Sequence, residues 1–341
     1  MTTTTQAIVK PGSTAKATMS SFVTRHATWL PTFAAIAILV VLLVGAQVRF
    51  GNFLTPGNMS ALLLDNASVI VLAAGTTFVI LTAGIDLSVG SVMAFTGIFG
   101  AKLMSDGVPT AIAIPIMFAC GAAIGLLIGV LVQYFNVQPF IASLAGLFLG
   151  RGLAFVVSLN SIRVENKEIG WLQSTRIGLG DWYITPTGII AILVVVIGAL
   201  VLQYTRFGRT IYAVGGSESS ARLMGLRVSR TKILAYVISG FCGGLAGLLL
   251  TAYSGSSAYP RAGIGTELDV IAAVVIGGTL LTGGRGYVVG SLIGVLVLGC
   301  INTIISFMGA EQSWNRIIVG ALLLLFIVLQ RAIVSRSSRT G

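Results

Sequence analysis

The sequence predicts an all-α membrane protein of about ten transmembrane helices, with both termini in the cytoplasm. Three observations predict it. Apolar residues fill 55% of the 341 positions and charged residues only 9%, against roughly 25% charged in soluble domains, too few to cover a water-facing surface of this size. The apolar residues gather into runs long enough to cross a bilayer core, which takes about 20 helical residues. The cationic surplus, a net charge of +11, is confined to a few segments between those runs.

In chain order, residues 1–28 are rich in Thr, Ser and Ala with Lys10, Lys16 and Arg25. They carry no apolar core and cleavage site of a secretory signal peptide and are expected to form a disordered cytoplasmic tail. The first apolar run covers 29–48. Others follow at 62–84, 88–104, 109–135, 138–159, 186–204, 233–253, 268–283, 287–308 and 314–331. Together they make a transmembrane domain over 29–331, followed by a cytoplasmic tail at 332–341. In lipid each segment must satisfy its own backbone hydrogen bonds, so the runs form helices, and they are too long for barrel strands. The short run 88–104 and the glycine-broken run 268–283 depart furthest from an ordinary span.

Charge sets the orientation. Loop 205–232 holds Arg206, Arg209, Arg222, Arg227, Arg230 and Lys232 against the single acid Glu218, and the C-terminal tail adds Arg331, Arg336 and Arg339 with no acid. Loop 160–185 balances Arg163, Lys167 and Arg176 with Glu165, Glu168 and Asp181. Cations are retained on the cytoplasmic side, which puts the first two segments inside and the third outside. An even number of spans satisfies all three placements.

The same distribution excludes other classes. There is no aromatic-interleaved basic patch or basic helix for nucleic acid. Cys120, Cys242 and Cys300 sit singly inside apolar runs, with neither pairing pattern nor metal-ligand spacing. The one histidine, His26, precedes the first span. No phosphate-binding Gly-x-x-x-x-Gly-Lys-Ser/Thr loop occurs, so the chain is not expected to be an enzyme, and energy from nucleotide hydrolysis would come from another chain. Small residues recur at helix-packing spacing, at Gly121, Gly125 and Gly129, Gly146 and Gly150, Gly243 and Gly247, and Gly286, Gly290 and Gly294. Close backbone approach supplies the helix contact that lipid tails do not drive.

Four polar features interrupt the apolar pattern. In LTAGIDLSVGSVMAF (81–95) the turn Gly84, Asp86 and Ser88 separates two spans, at the cytoplasmic membrane surface on this topology. There Asp86 or Ser88 can accept the first free amides of the following helix. LTAGIDLSVGS (81–91) is echoed by LTGGRGYVVGS (281–291), either by duplication of two units running in one direction or by convergence of two glycine-rich turns. In TELD, Thr266 and Asp269 have capping-box spacing. Arg151 lies about two-thirds along its span, where a lipid-facing charge costs at least a few kcal/mol. It is expected to face the interior and pair with a carboxylate, Asp65 being one partner in view, or with carbonyls.

The longest soluble segment, TRFGRTIYAVGGSESSARLMGLRVSRTK (205–232), contains SESSARLMGL (217–226). This reads as a short helix with Ser217 as cap, Glu218 in the first turn and Gly225 at the stop. Residue chemistry alone leaves two readings, a docking surface or a solvated loop whose charges serve topology.

Four stretches, GTTFVILTAGIDLSVGSVMAFTG (75–97), PFIASLAGLFLGRG (139–152), TRFGRTIYAVGGSESSARLMGL (205–226) and ELDVIAAVVIGGTLLTGGRG (267–286), give the chain a resemblance. It resembles the permease subunits of bacterial ATP-binding-cassette importers for ribose, xylose and galactofuranose, and within that group it is most similar to galactofuranose permeases. The resemblance runs over nearly all of 50–331. It implies the ABC importer permease fold in the inner membrane, described as two inverted five-helix halves. It also implies import of a monosaccharide in concert with cytoplasmic ATPase subunits, a second permease (identical or related) and a periplasmic sugar-binding protein. It places the ATPase-coupling segment on Gly215 through Gly225, with Ala221 and Gly225 letting the short helix seat in the ATPase and Glu218 and Arg222 framing it. It adds a gate or ATPase-facing role for the Gly84–Ser88 turn. Sugars are held by hydroxyl hydrogen bonds and aromatic faces, which makes Asn66, Phe95, Gln138, Phe140, Ser143, Arg151 and Asn302 pathway candidates. The rival reading is an ion-coupled secondary transporter, which needs a buried carboxylate or broken helices at mid-membrane. Acids that cluster at span ends count against it.

Overall fold

The computed structural model describes residues 30–255, 257–309, 311 and 313–337; the tail 1–28 and the last four residues lie outside them. All ten apolar runs are helical. The first is α1 (Leu30–Phe50), and the second divides into α2 (Pro56–Asp65) and α3 (Ala67–Leu81). Then come α4 (Val89–Ser105), α5 (Thr110–Tyr134) and α6 (Pro139–Val157). The outer loop holds β1 (Ile162–Arg163), α7 (Lys167–Ser174), and the hairpin of β2 (Ile177–Leu179) and β3 (Trp182–Ile184). After α8 (Pro186–Tyr204) the chain forms α9 (Arg206–Gly216) and α10 (Glu218–Leu223), then α11 (Val228–Tyr253). β4 (Ser257–Ala258) pairs with β1, and α12 (Thr266–Ile276), α13 (Val288–Phe307) and α14 (Ser313–Ser337) complete the chain. Helix α14 continues beyond residue 331, so part of the expected C-terminal tail is helical.

The fold class is all-α, but the runs are not ten equal spans. Among the described residues six helices are long and apolar enough to cross a membrane, seven if the α2–α3 pair, bent by 51° at Asn66, counts as one. Helix α4 has 17 residues and α12 only 11. Their shortness has a structural cause. A side chain added at Gly90, at the start of α4, would meet Gly263 and Glu267 at the start of α12. The two helices therefore begin against each other inside the bundle. Gly243 of α11 packs on Val92 of α4 at that level, ten residues or about 15 Å from the outer end of α11.

Helix α5 fixes the orientation of the loops. At its start Thr110 donates to Glu168 (3.2 Å) and accepts from Asn166 (2.9 Å). At its end Gln133 donates to Ser229 (3.0 Å). Loops 160–185 and 205–232 thus lie at opposite ends of the bundle, as the charge pattern requires.

At the centre, α11 packs on α5, α3 and α4. The α5–α11 crossing is built on absent side chains. A Cβ at Gly121 or Gly125 would enter the backbone of Gly240 or Tyr236. The other small-residue pairs also pack closely, Gly150 on Ser91, Gly290 on Gly277 and Gly294 on Ala273. Substitution Gly125→Leu is expected to force α5 and α11 apart at a cost of about 1–3 kcal/mol or more. It should lower the melting temperature in mild detergent by several degrees, whereas Gly45→Leu, with no atom within 4 Å of the new Cβ, should leave it unchanged.

Candidate functional site

Three constellations carry polar chemistry, and the first is cytoplasmic. Thr205 accepts the Gly208 amide (3.1 Å) and starts α9, an amphipathic helix that buries Gly208, Ile211 and Val214. The sequence reading had treated this stretch as loop, because its one apolar stripe is too sparse to stand out beside the spans. Ser217 then accepts the Ser220 amide (3.3 Å) and caps α10, as expected. Gly225, at φ 74°, ends it. The Leu226 amide bonds the Ala221 carbonyl and the Gly225 amide bonds that of Arg222, the paired closure that a left-handed residue permits.

Glu218 ties this element together. It accepts from Arg222 at 2.6 Å and from Lys232 of α11 at 2.9 Å. Burial pushes its carboxyl up, but the hydrogen bonds and charges of Lys232 and Arg222 outweigh that and hold it below the usual range. Two residues of the expected coupling segment face the chain itself. Ala221 is fully buried, packed with Val214 and Val228 against the chain's own helices. Gly215 faces inward, where any side chain would strike the Leu81 carbonyl and the Gly284 amide. The outward groups are Arg222, Gly225 and two residues that the sequence reading passed over, Leu223 at 89% and Met224 at 66% exposure. Their signal was an apolar pair inside a polar, cation-edged loop.

The second constellation is the 82–88 turn. Asp86 is not at the membrane surface but 1% exposed inside the bundle. Its Oδ1 accepts the amide (2.9 Å) and hydroxyl (2.6 Å) of Ser88, and its Oδ2 accepts the Ser239 hydroxyl (2.7 Å) from the interior of α11. It therefore holds Ser88, the residue before α4, rather than the helix's own first amides. Gly84 lies against Tyr236, whose hydroxyl donates to the Ile85 carbonyl (3.4 Å). The echoed turns meet here. The Gly284 amide donates to the Leu81 carbonyl (2.9 Å), and Gly283 packs on Ala83.

The third joins α6 to the start of α12. Arg151 donates to the Ala262 carbonyl, and its Nη2 stands 3.9 Å from Glu267 Oε2. Both side chains are 13% exposed. Arg151 faces the interior as expected, but its carboxylate is Glu267, not Asp65, which bonds Tyr253 instead. TELD is no capping box, since α12 starts from Gly265 at φ 88° with no side-chain cap. Glu267 was missed because the capping motif drew the reading to its neighbours.

The remaining pathway candidates do not converge. Asn66 sits at the α2–α3 bend, bonded to the Leu62 carbonyl (2.8 Å) and packed on Gly299. Phe95 is buried and stacked on Phe99. Gln138 and Phe140 are exposed at the inner end of α6, about 18 Å below Arg151 on the same helix. Ser143 is buried, its hydroxyl on the Phe140 carbonyl. Asn302 keeps a buried side-chain oxygen with no hydrogen-bond partner. The acids also fail to cluster at span ends, because Asp86 and Glu267 lie inside. That ground against an ion-coupled transporter falls.

A multi-helix membrane bundle with two half-length helices meeting inside it, and a rigid apolar-tipped helix pair on the cytoplasmic face, defines a transport subunit. Comparison with known proteins supports this class. The family model described as branched-chain amino acid transport system / permease component matches residues 58–327, and the chain belongs to that family. It is 42% identical to the fructose import permease protein FruG of Bifidobacterium longum over 90% of this chain and 92% of the relative. It is 41% identical to the inner membrane ABC transporter permease protein YjfF of Escherichia coli (89% and 92% covered) and 40% to that organism's ribose import permease protein RbsC (88% and 94%). No solved structure matches. The chain is thus an inner-membrane permease of the ABC sugar-importer group, a transport component rather than an enzyme.

Asp86→Ala would leave the Ser88 and Ser239 donors unpaired in a water-free interior, at about 1–3 kcal/mol for each stranded group. Asp86→Asn should cost less, because its carbonyl can serve Ser88 while its amide donates to Ser239. Chemical denaturation in detergent should order the three proteins wild type, Asn, Ala; equal losses for Asn and Ala would show that the hydrogen bonds do not matter.

Proposed function

We propose that this chain forms the membrane path of an importer that carries a monosaccharide, galactofuranose or a related sugar, driven by cytoplasmic ATPase subunits docked on α10. A second permease and a periplasmic sugar-binding protein complete the assembly in this reading. The observation that carries it is the two-sided build of α9–α10. One side presents Leu223 and Met224 to the cytoplasm; the other seats Gly215 on Leu81 and Gly284, where two membrane turns meet. Apolar side chains exposed on a capped, ion-paired helix fit burial in a partner's groove, where the apolar area removed from water stabilises the contact. A displacement of α10 is then delivered to α3, α4 and α13 with no flexible linker between. Support for the sugar comes from the motif stretches and from the named relatives.

The test is reconstitution with the ATPase and binding protein, measuring sugar-stimulated ATP hydrolysis and uptake of labelled galactofuranose, fructose and ribose. Uptake by the lone chain in ATP-free vesicles would overturn the proposal. Leu223→Asp/Met224→Asp should weaken ATPase association by about 30-fold or more with the melting temperature unchanged.

The ion pairs of Glu218 supply a pH test. Its carboxyl is held below its ordinary value, so its stabilisation is complete at neutral pH and is lost as pH falls through the depressed folded value. Wild type should be more stable than Glu218→Gln at pH 7, and the difference should vanish in acid; a gap that persists in acid would exclude the ion pairs as its source.

A further inference from the structure

We propose that the cleft between the inner ends of α5 and α11 is a binding site for the phosphate headgroup of an anionic lipid of the cytoplasmic leaflet. The cleft is open to solvent with a volume of about 320 Å³, and its lining includes Arg222, Arg227, Arg230, Ser229 and Tyr134, with no carboxylate among the lining residues. Of the three guanidinium groups only that of Arg222 has an acidic partner, Glu218, and Glu218 is shared with Lys232. Among the described residues Arg227 and Arg230 are in no ion pair. Three cations that converge on one open space repel one another, and an anion between them removes that repulsion.

The height of the cleft selects the source of the anion. Arg227 and Arg230 directly precede the apolar part of α11, which begins at Ile233. Tyr134 and Phe135, at the end of α5, are exposed at 66% and 69%, and aromatic side chains at span ends sit at headgroup level. A phosphodiester tethered by its acyl chains is held at that level, and basic pockets on the cytoplasmic side of span ends suit such headgroups. A hydroxyl on Ser229 and one on Tyr134 can serve the headgroup's remaining oxygens. Because Arg222 belongs to α10, a bound headgroup would also clamp the proposed docking helix to the membrane surface. That consequence rests on the function proposed above, while the binding itself does not.

The experiment is native mass spectrometry of the full chain in mild detergent, titrated with phosphatidylglycerol or phosphatidylcholine. Phosphatidylglycerol should be retained in clear excess over phosphatidylcholine. Arg227→Gln/Arg230→Gln should weaken phosphatidylglycerol retention by about 30-fold, a factor of about five for each cation. Arg227→Lys/Arg230→Lys should keep most of it. If the Gln variant does not fold, raising salt on the wild type must strip phosphatidylglycerol selectively. Equal retention of the two lipids, unchanged retention in the Gln variant, or salt-insensitive retention overturns the proposal. Glycerol phosphate that displaces the lipid at similar concentration assigns the site to a soluble anion and overturns it too. The readout involves no ATPase, so it stands or falls separately from the transport function.

Discussion

The hydrogen bond from the Gly284 amide to the Leu81 carbonyl is the constraint on which the inner half of the structure depends. Both groups lie where helices have ended, so neither has an intrahelical partner, and the Leu81 carbonyl belongs to a fully buried residue that needs a partner from protein. Pairing the two turns is the solution, and it requires that both backbones come into contact. Gly283 and Gly284, at φ 81° and 73°, provide that approach. Gly215 then closes the contact from the cytoplasmic side, with no side chain to hold it away. Helix α9 and the membrane turns are thereby in direct backbone contact.

The short helices follow the same logic one level up. Helices α4 and α12 begin inside the bundle, so the polar groups at their starts need partners from protein. Asp86 and Ser239 settle the region before α4, while Glu267, Arg151 and the Ala262 carbonyl crowd the start of α12. Acids inside the membrane domain are there because broken helices demand them, and buried carboxylates alone do not mark an ion-coupled carrier. Membership of the permease family decides that question.

Much of the fold was legible in the sequence because lipid imposes a simple code. Apolar runs located the helices of the bundle, though not α7 or α9 in the loops, and the cation distribution gave the two ends that α5 connects. Span length was less legible. Hydrophobicity reports that a residue avoids water, not whether it faces lipid or protein, so 88–104 and 268–283 looked like spans although α4 and α12 are part-helices packed on their neighbours. Depth failed for the same reason at Asp86, which chain order placed at the surface and packing draws inward to Ser239. In the cytoplasmic segment, Ser217 and Gly225 were readable because caps and stops are local. The inward faces of Ala221 and Gly215 were not, because they depend on where α9 lies. Arg151 announced itself as interior, but its partner, Glu267, lies more than a hundred residues away.

The two buried acids differ in a way that bears on movement. Asp86 accepts three hydrogen bonds of ordinary length, two from Ser88 beside it in the turn and one from Ser239 of α11, so separating α4 from α11 there would break the Ser239 bond. Glu267 and Arg151 approach only to 3.9 Å, and Oε2 and Nη2 have no hydrogen-bond partner. Parting α6 from α12 there breaks the bond from Arg151 to the Ala262 carbonyl, while Oε2 and Nη2 gain whatever polar partner enters. Each opening thus breaks one of these hydrogen bonds, but of the two junctions the α6–α12 seam is the one that already holds polar atoms with no hydrogen-bond partner. A path that opens there would leave the α4–α11 junction, and the turns that carry the cytoplasmic helices, intact.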